Sequence, residues 1–82
     1  MSPRVKPHAV EERVAATLRS LREQQGMTLA SLAHASGLSS AYLSRVENNT
    51  ASLTLQNLAK VASALQVAPS AFFDEQAGPR PI

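Results

Sequence analysis

Apolar residues recur every three or four positions in the first third of the chain. They are Val10, Val14, Leu18 and Leu21. This spacing puts them on one face of a helix, and so it predicts an amphipathic helix that begins near Ala9. Because glycine often ends a helix, we expect this one to stop near Gln25, just before Gly26.

Two short helices are predicted in the middle of the chain, on either side of Gly37. Thr28 is suited to cap a helix over residues 29–35, because its hydroxyl can accept a hydrogen bond from a free backbone N–H. Ser39 is suited in the same way to cap the next helix, over residues 40–48. Gly37 lies between them, where a positive φ is favourable only for glycine.

The last third of the sequence predicts two more helices, which follow a polar loop. In this loop we expect the backbone of Asn49 to adopt the left-handed conformation. Thr54 is predicted to cap the fourth helix, whose apolar residues share one face. These residues are Leu55, Leu58, Val61, Ala62 and Leu65. Pro69 suits the first turn of a short fifth helix that contains Phe72 and Phe73. Since no strand pattern is present, the predicted fold class is all-α with five helices.

The two ends of the chain differ from its helical middle. Residues 1–8 hold two prolines with Arg4 and Lys6, and this composition predicts a flexible basic arm. Residues 75–82 hold two prolines and a glycine, and they are predicted to form a flexible tail. The remaining residues, 9–74, are predicted to form one domain, as suits a chain of 82 residues.

Composition narrows the class of protein further. A hydrophobic share of 44% with only 4% aromatic residues favours packed short helices over a sheet. The chain has no cysteine, and His8 and His34 are far apart, so no metal and no cofactor are expected. No apolar run reaches membrane-spanning length and no secretory signal is evident, so we expect a cytoplasmic protein without a membrane partner. No nucleophile and base form a catalytic motif, so an enzyme is not expected.

The segment around Gly37 combines the features of a helix-turn-helix. Ala33 is small at the point where the two helices are expected to cross, and Leu43 and Val46 are expected to face inward. The residues expected to face outward on the second of these helices are Ser39, Ser40, Ala41, Tyr42, Ser44 and Arg45. In such proteins the second helix enters the major groove of DNA. Arg45 is predicted to donate two hydrogen bonds to the O6 and N7 atoms of guanine, with a phosphate contact or a solvated surface cation as the alternative.

On these residues the chain resembles the Cro/CI-type helix-turn-helix family, also called the xenobiotic-response-element family. The matching segments are LRSLREQQGMTLASLAHASGLSSAYLSRVENN and TLQNLAKVASALQV, which together with Phe72 and Phe73 cover about residues 14–73. The resemblance implies a lambda-repressor-like DNA-binding domain of five helices. The segment GLSSAYLSRVENN also resembles the branch of the family that is fused to a cupin sensor.

The resemblance implies roles for individual residues. Arg22 and Glu47 match a structural ion pair between the first helix and the reading helix. The positions that match base-reading residues are Ser40, Ala41, Ser44 and Arg45. The positions that match residues near the phosphates are Thr28, Tyr42, Asn48 and Thr50. The predicted DNA-binding set also includes Ser39 and Leu29. The family usually has glutamine at the position of Leu29, and a leucine cannot make the contact that the glutamine side chain makes with the DNA backbone.

One short reading helix covers only a few base pairs, so a homodimer on a palindromic operator is predicted, with half-sites about 34 Å apart. Phe72 and Phe73 are the predicted dimer contact, with the alternatives that both rings close the core of the monomer or that one ring does each job. The predicted function is sequence-specific binding of double-stranded DNA by a transcription regulator, most often a repressor in this family. An antitoxin or another module that also binds a protein partner is the alternative. No small-molecule effector is evident.

Overall fold

The computed structural model describes residues 9–73, and the predicted arm and tail lie outside these residues. It contains four α-helices followed by one short 3₁₀ helix. They are α1 (Ala9–Gln24), α2 (Leu29–Ser36), α3 (Ser40–Glu47), α4 (Leu55–Leu65) and the 3₁₀ helix Pro69–Phe72. No strand occurs within residues 9–73, so the all-α prediction is confirmed for that part of the chain.

The predicted fifth helix is a single 3₁₀ turn instead of an α-helix. Pro69 occupies its first turn, as the sequence predicts, because its fixed φ suits that position. Ala68 precedes it and has no side chain that caps the turn. The turn closes when the Phe73 N–H donates to the Ser70 carbonyl at 3.0 Å. An uncapped turn of four residues is typical of 3₁₀ structure, which is used in short pieces.

The start of each of the last three α-helices depends on one hydroxyl. Thr28, Ser39 and Thr54 each accept a hydrogen bond from the backbone N–H three residues further along, at 2.9 to 3.0 Å. The three predicted N-caps are therefore confirmed. Each satisfies a backbone donor that the helix itself leaves unpaired, which is worth about 1 kcal/mol.

Within residues 9–73, four positive φ angles end or connect the helices: three lie at predicted places, and the fourth, at Gln66 after α4 (φ 62°), was not predicted. Gly37, in the turn between α2 and α3, has φ 79°, and its N–H donates to the Ala33 carbonyl at 2.9 Å. Gly26 has φ 70° beyond the end of α1, and Asn49 has φ 63° in the loop after α3. These conformations let the chain reverse direction within a few residues, so α3 packs against both α1 and α2.

One hydrophobic core joins all five elements. Its members are Val14, Leu18, Leu32, Leu43, Val46, Leu58, Val61, Ala62, Leu65 and Phe72. Phe72 is 0% exposed, so its ring has no surface to offer a second protomer, and the prediction that it forms a dimer contact is wrong. Its neighbour Phe73 is 44% exposed, and its dimer contact stays a prediction. Val10 is 42% exposed, so the apolar face of α1 enters the core only from Val14 onward.

Candidate DNA-binding surface

Helix α3 has one buried face and one exposed face. Leu43, Val46 and Glu47 are buried against the rest of the domain. The opposite face carries five side chains that we call the reading surface: Ser39, Ser40, Ala41, Ser44 and Arg45. Four of them are exposed and Ser44 is half-buried. Five of the six side chains predicted to face outward therefore form this surface, whereas the sixth, Tyr42, is half-buried and packs against the core.

Arg45 is the one long cation on the reading surface. Its side chain is exposed, and its guanidinium has no hydrogen-bond or ion-pair partner within residues 9–73. Its backbone carbonyl accepts hydrogen bonds from the N–H and the hydroxyl of Thr50, at 2.8 and 3.1 Å. The backbone at Arg45 is therefore held in place while all five guanidinium N–H groups remain available to an external acceptor.

Two residues that follow the reading surface, Asn48 and Thr50, form hydrogen bonds with it. The hydroxyl of Thr50 donates to the Arg45 carbonyl, so its proton is already used within the protein. Asn48 is exposed, and its side-chain amide donates a long 3.5 Å hydrogen bond to the Ser44 hydroxyl. Thr50 is thus placed to close the end of α3, whereas Asn48 keeps most of its hydrogen-bonding capacity.

The start of α2 presents mainly its backbone. The Thr28 hydroxyl accepts from the Ser31 N–H, and the Ser31 hydroxyl accepts from the Thr28 N–H, both at 2.9 Å. Leu29 is half-buried and packs against the core. The side chain of Leu29 is therefore used in packing, and the first free N–H groups of the helix are the donors at this end.

Arg22 and Glu47 join α1 to the end of α3. Arg22 Nε donates to Glu47 Oε2 at 2.8 Å, and Arg22 Nη2 donates to Glu47 Oε1 at 3.0 Å. The third contact of the guanidinium is Nη1 to the Met27 carbonyl at 2.8 Å. The hydrogen bonds that Arg22 donates to Glu47 raise the pKa of Arg22 above its ordinary value, and this outweighs the opposing effect of burial. The structure thus contains the predicted pair as a two-pronged ion pair.

Two features of this region were missed from the sequence. Arg19 Nε lies 3.5 Å from Glu47 Oε1, so Glu47 faces two arginines instead of one. The three-residue spacing of Arg19 and Arg22 on α1 is the signal that was overlooked. The second feature is the Tyr42 hydroxyl, which contacts the protein itself: it donates to the Ser52 carbonyl at 2.6 Å. Tyr42 and Ser52 are ten residues apart, and no local sequence pattern predicts a side-chain hydrogen bond over that separation.

A surface groove on the described part of the chain lies apart from the reading surface. It has a volume of about 590 Å³, and Glu12, Glu23 and Arg19 are among its lining residues, whereas no reading-surface residue lines it. Within residues 9–73, no group of three possible ligands is placed to hold a metal ion. No helix in that part of the chain is long and apolar enough to cross a bilayer. The exposed helix face, not a cavity, is therefore the candidate site.

A family model described as helix-turn-helix matches residues 18–72, which is most of the chain. The chain belongs to this helix-turn-helix family. The resemblance to the Cro/CI-type family is thereby confirmed, and the likeness to its cupin-fused branch stays a prediction. The matched residues include the whole helix-turn-helix unit of α2 and α3 together with α4.

Among curated members of the family, the HTH-type transcriptional regulator SutR of Escherichia coli (strain K12) is 45% identical over 56 residues. These residues are 68% of this chain and 32% of SutR, so the chain spans about a third of that relative's length.

Solved structures of the family share the fold. The restriction-modification controller protein C.AhdI from Aeromonas hydrophila has a TM-score of 0.76 at 34% identity, with 79% of this chain and 98% of that chain covered. An HTH_3 family transcriptional regulator from Vibrio cholerae has a TM-score of 0.78 at 34% identity, with 83% and 38% covered. The clp gene regulator ClgR from C. glutamicum has a TM-score of 0.73 at 36% identity, with 78% and 83% covered.

Proposed function

We propose that this helix-turn-helix chain is a sequence-specific regulator of transcription that places α3 in the major groove of double-stranded DNA. The observation that carries the proposal is the reading surface, which leaves Arg45 unpaired on a helix whose opposite face is buried. The relatives support it, because SutR, ClgR and the Vibrio cholerae protein are named as regulators. Regulation of this kind requires binding and release of DNA, and no catalytic step.

Each reading-surface residue has a chemistry that suits a base edge. Arg45 is proposed to donate to O6 and N7 of a guanine, since its planar guanidinium matches these two acceptors. Ser40 and Ser44 are proposed to donate to or accept from neighbouring bases, and Ala41 to contact a thymine methyl group. Ser39 lies at the first turn of α3, where the end of the helix approaches the groove.

The phosphates are proposed to be bound by groups at the margins of this surface. The start of α2, beside Thr28, leaves backbone N–H groups without a partner in the helix, and a helix N-terminus favours an anion. Asn48, beyond the end of α3, is proposed to donate to a phosphate on the other side of the groove. Because Leu29 supplies no polar group here, we propose that each protomer binds DNA with modest affinity.

A homodimer is proposed to bind a palindromic operator. Helix α3 has eight residues and is about 12 Å long, so it reaches only a few base pairs. Two copies related by a twofold axis place two α3 helices one helical turn of DNA apart, about 34 Å. The exposed ring of Phe73 is the proposed contact between the copies. A dimer on such an operator is proposed to act as a repressor by occupying the promoter.

Selection from a library of random double-stranded DNA tests the proposal. We expect an enriched sequence with twofold symmetry, and sedimentation of the selected duplex with the protein to give two protomers per duplex. The affinity should fall steeply as salt rises, because phosphate contacts release counterions. Absence of any enriched sequence at low salt would contradict DNA recognition, and one protomer per duplex would contradict the dimer.

A further inference from the structure

The hydroxyl of Tyr42 is bonded on both sides within the protein. It donates to the Ser52 carbonyl at 2.6 Å and accepts from the Asn57 side-chain amide at 3.2 Å. The ring is half-buried and packs against the hydrophobic core. Tyr42 thereby connects the first half of α3 to the loop over residues 48–54, which we call the α3–α4 loop, and to α4.

This geometry limits what Tyr42 can offer to DNA. A phenol has one proton, and in Tyr42 that proton is used in a short hydrogen bond to Ser52. Phosphate oxygens only accept hydrogen bonds, so donation to a phosphate requires that the bond to Ser52 be broken. The structure therefore gives Tyr42 a partner inside the domain at the position where the family resemblance implies a phosphate.

The α3–α4 loop depends on such bonds for its shape. Only Ala51 and Leu53 are half-buried in it, and its remaining residues are exposed. Thr50 joins its first part to α3, and the Ser52 hydroxyl donates to Glu11 Oε2 of α1 at 2.9 Å. The Tyr42 bond links the middle of the loop to the reading helix. A loop with so little buried apolar surface is expected to lose order when one of these bonds is removed.

We propose that Tyr42 is a positioning residue, which holds the α3–α4 loop against α3 in the free protein and does not itself contact DNA. Asn57 orients the hydroxyl by donating to it from α4. The inference rests on the proposed DNA binding. Its consequence is that the loop meets DNA with its shape already formed, so the cost of ordering it is not taken from the binding free energy.

Tyr42→Phe tests this directly, because it removes the hydroxyl and keeps the ring that packs in the core. In the DNA-free protein, we expect the ¹⁵N order parameters of residues 51–53 to fall. On the duplex enriched from random DNA, we expect affinity to weaken about threefold to tenfold, as for one lost hydrogen bond. Asn57→Ala removes the second partner by an independent route, and it is expected to change both readouts in the same direction.

Ser40→Ala is the matched control, since it removes a hydroxyl from the reading surface of the same helix. It is expected to weaken binding without changing the order of the loop, which is the signature of a direct contact. The double variant Tyr42→Phe, Asn57→Ala should bind the selected duplex as tightly as whichever single variant has the lower affinity, because both substitutions act through one hydroxyl.

Other results would overturn the inference. If Tyr42→Phe weakens binding and leaves loop order unchanged, the hydroxyl contacts DNA directly. If loop order falls and affinity does not, the hydroxyl does not position the loop for DNA. If Tyr42→Phe does not fold, Asn57→Ala provides the test, and unchanged ¹⁵N order parameters of residues 51–53 in that variant would overturn the inference. Failure of the wild-type protein to enrich any duplex is a different result, and it contradicts the proposed function itself.

Discussion

The guanidinium of Arg22 and the carboxylate of Glu47 meet in two parallel hydrogen bonds, 25 residues apart in the chain. The Glu47 side chain is 2% exposed and the Arg22 side chain 12%, so both charges are largely removed from water. Because Glu47 is the last residue of α3, the pair connects the end of the reading helix to α1. The angle at which α3 is presented therefore depends on a contact outside the helix-turn-helix unit.

Loss of this pair is expected to destabilise the domain. Arg22→Met leaves the buried Glu47 carboxylate without its main partner, and we expect a loss of about 3 kcal/mol in the free energy of unfolding, measured with urea. Arg19→Ala is the control, since Arg19 is 54% exposed and should cost less than about 1 kcal/mol. Equal losses for the two variants would show that Glu47 does not depend on Arg22 in particular.

The ion pair also gives an expectation for alkaline pH. The pKa of Arg22 is higher in the folded than in the unfolded state, because Glu47 accepts its hydrogen bonds. Its contribution is therefore complete below the ordinary arginine pKa and is lost only as pH rises through the folded value. The difference in unfolding free energy between the wild type and Arg22→Met should stay constant from pH 7 to about pH 10. A difference that declines in this range would contradict the assignment.

Arg45→Ala should separate base reading from phosphate binding. If Arg45 reads a guanine, the variant should lose about 1–3 kcal/mol on the selected duplex and tolerate other bases at one position. Binding curves on the selected duplex and on its single-base variants measure both effects. Lys60→Ala is the matched control, an exposed cation on α4 outside the helix-turn-helix unit. Equal weakening on selected and random duplexes would mean that Arg45 contacts only phosphate.

Leu29→Gln should increase affinity for DNA. A glutamine at the start of α2 adds a donor beside the free N–H groups, and one hydrogen bond corresponds to about a threefold to tenfold gain. Stability should fall by about 1 kcal/mol, because Leu29 packs against the core. Leu29→Ala is the control: it should lose stability and gain no affinity. A gain in both variants would exclude the added donor as the cause.

The two adjacent phenylalanines should behave differently. Phe72→Ala is expected to cost about 3–5 kcal/mol in unfolding free energy, because it empties a fully buried site. Phe73→Ala removes a half-exposed ring, so it should cost much less stability and shift the protein from dimer to monomer in sedimentation equilibrium. A dimer that is unaffected by Phe73→Ala would place the contact between protomers elsewhere.

Much of this fold could be predicted from the sequence because its signals are local. Thr28, Ser39 and Thr54 begin their helices with hydrogen bonds to N–H groups three residues away. Gly37 and Asn49 take the positive φ angles that were predicted for them, and these depend on the backbone of one residue. Such short-range chemistry is the same in any fold, so the limits of α2 and α3 and the start of α4 agree with prediction to within about one residue.

Tertiary structure decided which side chains are buried and which partners they meet. Phe72 and Phe73 are equivalent in the sequence pattern, yet the direction of the 3₁₀ turn buries one and exposes the other. Tyr42 was predicted to face outward, but it is half-buried, and its hydroxyl bonds to Ser52 and Asn57, which only the path of the loop and the placement of α4 bring near. The sequence alone thus determined the four α-helices and most of the outward face of α3. The packing decided how that face is held, because contacts across ten or more residues depend on the relative placement of helices.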